Sequence, residues 1–179
     1  MSESGQHAVV YTIGHSTRSL EELVSFLQAH GVSCVVDVRT VPRSRRNPQF
    51  NRDSLPGDLG QHEIEYVHIA ELGGLRRTVP DSPNTGWENL SFRGFADYMQ
   101  TGAFEHGLEA LLAVAAARPS AIMCAEAVPW RCHRSLIADA LLVRGVEVRH
   151  ILSRTRSQPH RLTSFAVVDG REITYPPGT

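Results

Sequence analysis

The sequence predicts an α/β fold: a three-layer arrangement with a mostly parallel sheet of about five strands and a C-terminal hairpin. Three observations predict it. Short runs rich in Val and Ile alternate along the chain with longer segments whose apolar residues recur at helical spacing. One of them, Cys34-Val-Val-Asp-Val38, is a largely apolar run, as a strand buried on both faces of a parallel sheet requires. Near the C-terminus, Asp169-Gly170 separates two short β-like segments.

Each element has its own signal. Val9 to Ile13 is a strand and leads into Gly14-His15-Ser16. Ser19-Leu-Glu-Glu22 matches a capping box, and Leu20, Leu23, Val24 and Leu27 form a helical stripe that ends at Gly31. Cys34 to Val38 is the second strand, and an Arg- and Pro-rich stretch runs from Arg39 to Phe50. Ile64 to Ile69 is the third strand. Glu71 to Leu90, with Gly73-Gly74, Pro80, Pro83 and Gly86, reads as loop. Helices follow at Phe92 to Met99 and Phe104 to Ala117, then a fourth strand at Ala121 to Cys124. Arg131 to Arg144 is a helix closed by Gly145, and Val146 to Leu152 is the fifth strand. Phe165 to Val168 and Ile173 to Tyr175 pair as a hairpin with a type I′ turn at Asp169-Gly170.

Composition narrows the chemistry. The 179 residues are 41% hydrophobic and 21% charged, with net charge −1, which fits one globular domain over residues 1–179 and no broad nucleic-acid or membrane footprint. All 18 basic residues are Arg. Without Lys, a pyridoxal-phosphate anchor, a side-chain Schiff base and a P-loop are excluded. Three Cys do not make a disulfide framework, the start Met1 to His7 has no leader pattern, and no apolar run spans a bilayer. A reducing cytoplasm is the expected location.

In parallel sheets, ligands bind beyond the carboxyl ends of strands. The unusual polar residues cluster there: His15 and Ser16, then Asp37 and Arg39, then Cys124 to Arg134. Asp37 and Arg39 lie two apart, so an extended chain turns both to one side, as a structural ion pair or as part of a site. Arg39, Arg43, Arg45, Arg46 and Arg52, with Ser44 and Phe50, form a basic stretch suited to one small anion or a nucleic-acid end.

Cys124-Ala-Glu-Ala-Val-Pro-Trp-Arg-Cys-His-Arg134 concentrates two thiols, a carboxylate, an imidazole and two guanidinium groups. Cys124 beside Arg131 and Arg134 fits a nucleophile, but Arg131 comes one position too late for a phosphatase-type loop, and Glu126 would repel phosphate. Cys124, Glu126, Cys132 and His133, with His15 as a further ligand, fit a divalent transition metal, although the set lacks a Cys-x-x-Cys. In the third reading the thiols are buried packing residues and Glu126 pairs with Arg131 or Arg134. Trp130 is expected to pack on the sheet edge.

Thr12-Ile-Gly-His-Ser16, Val36-Asp-Val-Arg39, Pro42-x-Ser44, Pro48-Gln-Phe50, Glu71-Leu-Gly-Gly74, Phe95-Ala-Asp-Tyr98 and Cys124-Ala-Glu126 through Cys132-His-Arg134 occur in this order. Together they resemble the bacterial and archaeal family called Domain of Unknown Function 488, from about Tyr11 to Ile151, with 152–179 as a C-terminal extension. The resemblance implies a cytosolic α/β domain and groups His15, Asp37, Arg39, Cys124, Glu126, Cys132, His133 and Arg134. It implies no reaction.

The expected function is an enzyme acting on an anionic, phosphate- or nucleotide-bearing small molecule. Arg39, Ser44, Arg45, Phe50, Arg131 and Arg134 would bind it, and Glu126, Cys124, His15, Asp37 and His133 would act on it. The alternatives are a nucleic-acid-end or single-strand binding module using the Arg39–Arg52 loop, and a thiol or metal redox sensor.

Overall fold

Residues 9–178 are described by the structure, a computed structural model. The polar start of the chain, read above for a leader, lies outside them. Six strands build one sheet: β1 (Val9–Gly14), β2 (Cys34–Asp37), β3 (Glu65–His68), β4 (Ser120–Cys124), β5 (Glu147–Ile151) and β6 (Ser157–Pro159). Their order is β3-β2-β4-β1-β5-β6. The first five are parallel to one another, and β6 runs antiparallel on β5. The five expected strands are all present. The sixth is a three-residue edge strand ending in Pro159, too short to show a period.

The helices are α1 (Leu20–Ala29), α2 (Leu55–Gly60), α3 (Leu90–Tyr98), α4 (Gly102–Ala117) and α5 (Arg134–Leu142). Helix α2 has no counterpart in the sequence reading. Its six residues, Leu-Pro-Gly-Asp-Leu-Gly, include a Pro and two Gly, and it forms because Leu55 and Leu59 are fully buried. Ser19 caps α1 by accepting from the Glu22 N–H (3.0 Å), but the return half of the box is absent because the Glu22 carboxylate pairs with Arg18 (3.3 Å).

Side-chain alternation along the strands feeds two separate cores. Val36, Ile122 and Val148 pack with Leu108 and Leu111 of α4 and with Leu136 and Ile137 of α5. Ile13, Val35, Ala121 and Met123 pack with Leu23 and Leu27 of α1 and with Leu55 and Leu59 of α2. Helices on both faces of a mostly parallel sheet make the expected three layers. A separate hairpin, β7 (Val167–Asp169) and β8 (Glu172–Thr174), closes the chain. Gly170 has φ +63° and Arg171 does not have positive φ, so the turn follows the II′ pattern, not the expected I′.

Strands β1 and β4 are neighbours, yet β1 leads to α1 on one face and β4 to α5 on the other. Chain directions diverge at that point and leave a crevice beyond the strand ends. The two ends are locked together: His15 N donates to Cys124 O (2.9 Å) and Ser16 N to Ala125 O (2.9 Å). A Cβ on Gly14 would sit 1.8 Å from the Glu126 carbonyl oxygen, so this contact requires glycine.

Candidate functional site at the carboxyl ends of the central strands

The β2 side of the crevice is a closed polar cluster. Asp37 is fully buried and takes both Arg39 Nε (2.9 Å) and Nη2 (2.7 Å), a bidentate ion pair. It also accepts from Arg39 N and from the Tyr66 hydroxyl. Burial, then the hydrogen bond to Asp37, pushes the Tyr66 phenol upward, so it stays a donor. Arg39 also donates to Phe50 O (2.7 Å) and to His15 Nε2 (3.3 Å). His15 Nδ1 lies 2.9 Å from Ser16 O, which sets that nitrogen as the donor and leaves Nε2 to accept. Burial, then the Arg39 charge, lowers the His15 pKa against the opposing hydrogen bond to Ser16 O. Phe50 stacks on the His15 ring at 4.4 Å and is fully buried, so it anchors the loop. Two apart on an extended chain, Asp37 and Arg39 do meet on one side.

The β4 side is built differently. Helix α5 begins at Arg134, not at Arg131; Pro129–Arg131 is a single 3-10 turn and Cys132 is extended (φ −133°, ψ 148°). Cys132 and His133 therefore do not lie within the helix expected from Arg131, and Cys132 Sγ lies 3.5 Å from His133 Nδ1. The other ring nitrogen, Nε2, donates to Val38 O (2.9 Å), which fixes the imidazole with Nδ1 toward the sulfur. The ring packs edge-on against Phe95, and a Cβ on Gly74 would lie 2.7 Å from Nδ1. The Arg134 backbone N–H also points at Cys132 Sγ (3.4 Å).

Two thiols and a guanidinium meet under this side. Cys124 and Cys132 are both buried and both line the crevice, and the Cys124 thiol donates to the Glu126 carbonyl oxygen (3.9 Å). Burial, then the neighbouring Cys132 sulfur, raises Cys124 well above the ordinary thiol range. Burial also works against ionisation of Cys132, but the neighbouring Cys124 thiol, the hydrogen bond to His133 and the charges of His133 and Arg134 outweigh it and hold Cys132 well below that range. Arg134 is 1% exposed and has no carboxylate partner among the described residues. Its Nη1 donates to Thr12 Oγ1 (3.1 Å) and Nη2 to Glu126 O (2.6 Å), while Nε has no hydrogen-bond partner.

Thr12 continues inward. Its hydroxyl donates to His150 Nδ1 (2.6 Å), His150 Nε2 to His160 Nδ1 (2.9 Å), and His160 Nε2 to Asp139 Oδ1 (2.8 Å). Thr163 and the Tyr175 hydroxyl also donate to Asp139. The chain of donors runs one way, from the Arg134 cation to the Asp139 carboxylate. Burial, then His160, pushes His150 down to about 3. None of these residues was singled out in the sequence, although a Thr in strand β1 and an Asp on the apolar face of α5 are buried polar groups that must find partners.

Of the residues expected at the site, His15, Asp37, Arg39, Phe50, Cys124, Cys132, His133 and Arg134 come together at the ends of β1, β2 and β4. Glu126 is exposed, and its carboxylate accepts from Val128 N (3.1 Å). It is the Glu126 carbonyl, not the carboxylate, that meets Arg134, which corrects the expected Glu126–Arg ion pair. Among the described residues, no group of three or more His, Cys, Asp or Glu side chains converges to hold a metal, so Cys124, Glu126, Cys132 and His133 do not form the expected ligand set. Arg131 is exposed on the crevice rim; Trp130, expected against the sheet, is 65% exposed. Ser44 and Arg45 line a different surface depression with Arg43, Pro48 and Asn51. The crevice itself is a cavity of about 430 Å³ lined by Arg39, Cys124, Glu126, Cys132 and His133, with the exposed Val41 and Leu75 also in its wall.

No helix among the described residues is long and apolar enough to cross a membrane. Comparison with curated proteins and with solved structures gives no match. A family model described as domain of unknown function DUF488 matches residues 19–141. That stretch is shorter than the resemblance read from the sequence: it starts after His15 and ends before His150. It spans more than half of the chain and includes Asp37, Arg39, Cys124 and the Cys132-His-Arg134 run. The chain therefore belongs to the DUF488 family.

Proposed function

We propose that the protein is an enzyme that acts on a small anionic molecule, with Cys132 as its nucleophile. The observation that carries this reading is the Cys132 Sγ to His133 Nδ1 contact (3.5 Å), with the imidazole held from behind by Val38 O. A thiol beside an oriented imidazole is the basic unit of cysteine nucleophiles. Arg134 and the first N–H of α5 add positive potential at the same sulfur. We assign the nucleophile to Cys132 and not to Cys124, because the imidazole and the first N–H of α5 meet the Cys132 sulfur, whereas the Cys124 thiol meets the Glu126 carbonyl. Exposed Arg131 offers an anion a contact at the rim, beside Glu126, which lines the same cavity.

Alkylation tests this. Iodoacetate is anionic and iodoacetamide neutral, and peptide mapping reports the cysteine modified. Cys132 is expected to react at neutral pH with a higher iodoacetate-to-iodoacetamide rate ratio than free cysteine shows, and Arg131→Gln should lower that ratio. An unreactive Cys132, or a ratio equal to that of free cysteine, would overturn the reading.

A further inference from the structure

We propose that the loop from Arg43 to Asn51 is a binding site for the phosphodiester backbone of single-stranded nucleic acid, separate from the Cys132 crevice. The inference goes beyond the reading of Cys132 as nucleophile and does not depend on it.

Three arginines on this loop lack a partner within the fold. Between Val38 and Asp53 the sequence carries five Arg and no Asp or Glu. Arg39 is buried on Asp37, and Arg52 Nη1 donates to His68 Nδ1 (3.1 Å). Arg43, Arg45 and Arg46 are exposed, and among the described residues their side chains make no hydrogen bond or ion pair. Three like charges within four residues repel one another, and the loop holds no acid to offset them. An external anion does.

The backbone that carries these arginines is fixed at several points. Ser44 N donates to Asn51 Oδ1 (2.7 Å), Asn47 N to Ser44 Oγ (3.0 Å) and Arg52 N to Pro42 O (3.0 Å). Phe50 is fully buried, and Arg39 Nη2 donates to its carbonyl (2.7 Å). Gln49 Nε2 ties the loop to Arg18 O (2.7 Å). Arg43, Ser44, Arg45, Pro48 and Asn51 line a depression of about 450 Å³. Guanidinium forks beside a hydroxyl and an amide suit the oxygens of a phosphate, and a loop closed in advance spends little entropy on binding one.

Two further features narrow the ligand. The whole chain has net charge −1, so the surface around this loop does not attract a polyanion. A flexible single strand can bend its backbone into one local patch, whereas a stiff duplex brings many phosphates against that surface. Phe50 is the only aromatic residue between Arg39 and Arg52, and its burial leaves bases no platform to stack on. The contact is therefore with the backbone and reads no sequence.

Fluorescence anisotropy of a short, end-labelled oligothymidylate, titrated at rising salt, tests the site. Wild type is expected to bind at low salt, with log affinity falling against log salt at a slope of about −2, the value for three neutralised phosphates on a single strand. A mixed-sequence strand of equal length should bind alike, and a duplex of that length more weakly. Arg43→Gln, Arg45→Gln and Arg46→Gln should each reduce the slope by about 0.7. The triple variant should lose binding and keep the wild-type urea midpoint. Asn51→Ala keeps every charge but loses the bond from Ser44 N, and should weaken binding about fivefold. Cys132→Ser should bind like wild type. No binding at low salt, or binding that survives the triple variant, would overturn the proposal. Wild-type affinity in Asn51→Ala would reduce the site to unspecific charge attraction and overturn it as a built site. Equal competition by polyglutamate of matched charge would overturn the phosphate class, and equal affinity for the duplex the single-strand class. Lost binding in Cys132→Ser would overturn the separation from the crevice.

Discussion

Two arginines are buried beneath one crevice, Arg39 at 7% and Arg134 at 1% exposure, and they are neutralised in opposite ways. Arg39 has a carboxylate bound through two nitrogens, and the same carboxylate is further tied by Tyr66. Arg134 has a hydroxyl, a carbonyl, two neighbouring sulfurs and one nitrogen with no partner. A buried cation without a counter-charge is costly, and around Arg134 the available anion is the Cys132 thiolate. The first arrangement is complete and holds structure. The second stays charged only if a sulfur does, and so couples a structural arginine to a reactive atom. Both are buried beneath the same crevice; what differs is whether the partner can do chemistry.

The largest expected effect falls on the complete pair. Asp37→Ala leaves Arg39 buried and unpaired and should cost about 3–5 kcal/mol in urea denaturation. It should leave the pH midpoint of Cys132 alkylation where it is in wild type. Arg134→Met should do the reverse. It removes the charge that helps to keep Cys132 ionised, so the midpoint should rise by about one pKa unit and alkylation at pH values below the wild-type midpoint should slow by about tenfold. Arg134→Lys should recover part of the rate. If Asp37→Ala moves the Cys132 midpoint as far as Arg134→Met does, the two sides are one electrostatic unit and the contrast between them is broken.

The sequence carried most of the architecture and the grouping of the site, and for a physical reason. Parallel strands buried on both faces announce themselves as apolar runs, and their carboxyl ends are where polar residues become noticeable. That logic found His15, Asp37, Arg39 and the Cys124 to Arg134 segment together. It did not find which group answers which. Cys132 and His133 touch only because Pro129–Arg131 forms its own turn and delays α5 by three residues. Glu126 offers its carbonyl and turns its carboxylate outward because a loop residue's backbone and side chain diverge. The partner of Arg134 is reached through Thr12 on a strand more than a hundred residues earlier, which no local pattern encodes.

Acid sharpens the contrast from the interior side. The fold keeps His150 neutral, with its pKa pushed down to about 3 by burial first and then by His160 and Arg134. In the unfolded chain it protonates near 6.5. The unfolded state therefore binds the extra proton between these values, and stability should fall as pH drops below about 6.5, by about 1.4 kcal/mol per pH unit for this group. The lowered His15 acts in the same direction on the other side of the crevice. Urea midpoints between pH 7 and pH 4 should show a shallower loss for His150→Gln than for wild type. An unchanged slope would mean that the Arg134 side does not govern acid sensitivity.

The smallest effect tests how far the influence of Arg134 reaches. Tyr175, fully buried, donates to Asp139 Oδ2 (2.8 Å) at the far end of the chain of donors, beyond the matched family region. Burial and the Asp139 charge raise its phenol, so it remains a donor at any ordinary pH. Tyr175→Phe removes one of four donors to a carboxylate that keeps His160 and both Thr163 groups. The expected cost is about 1 kcal/mol, read by urea denaturation. Cys132 alkylation should keep its wild-type rate and midpoint, because Asp139 keeps its other three donors and the line from Thr12 to His160 stays intact. A slowed alkylation would show that the C-terminal segment tunes the thiolate across that line, and the Arg134 side of the crevice would then extend to the hairpin end of the chain.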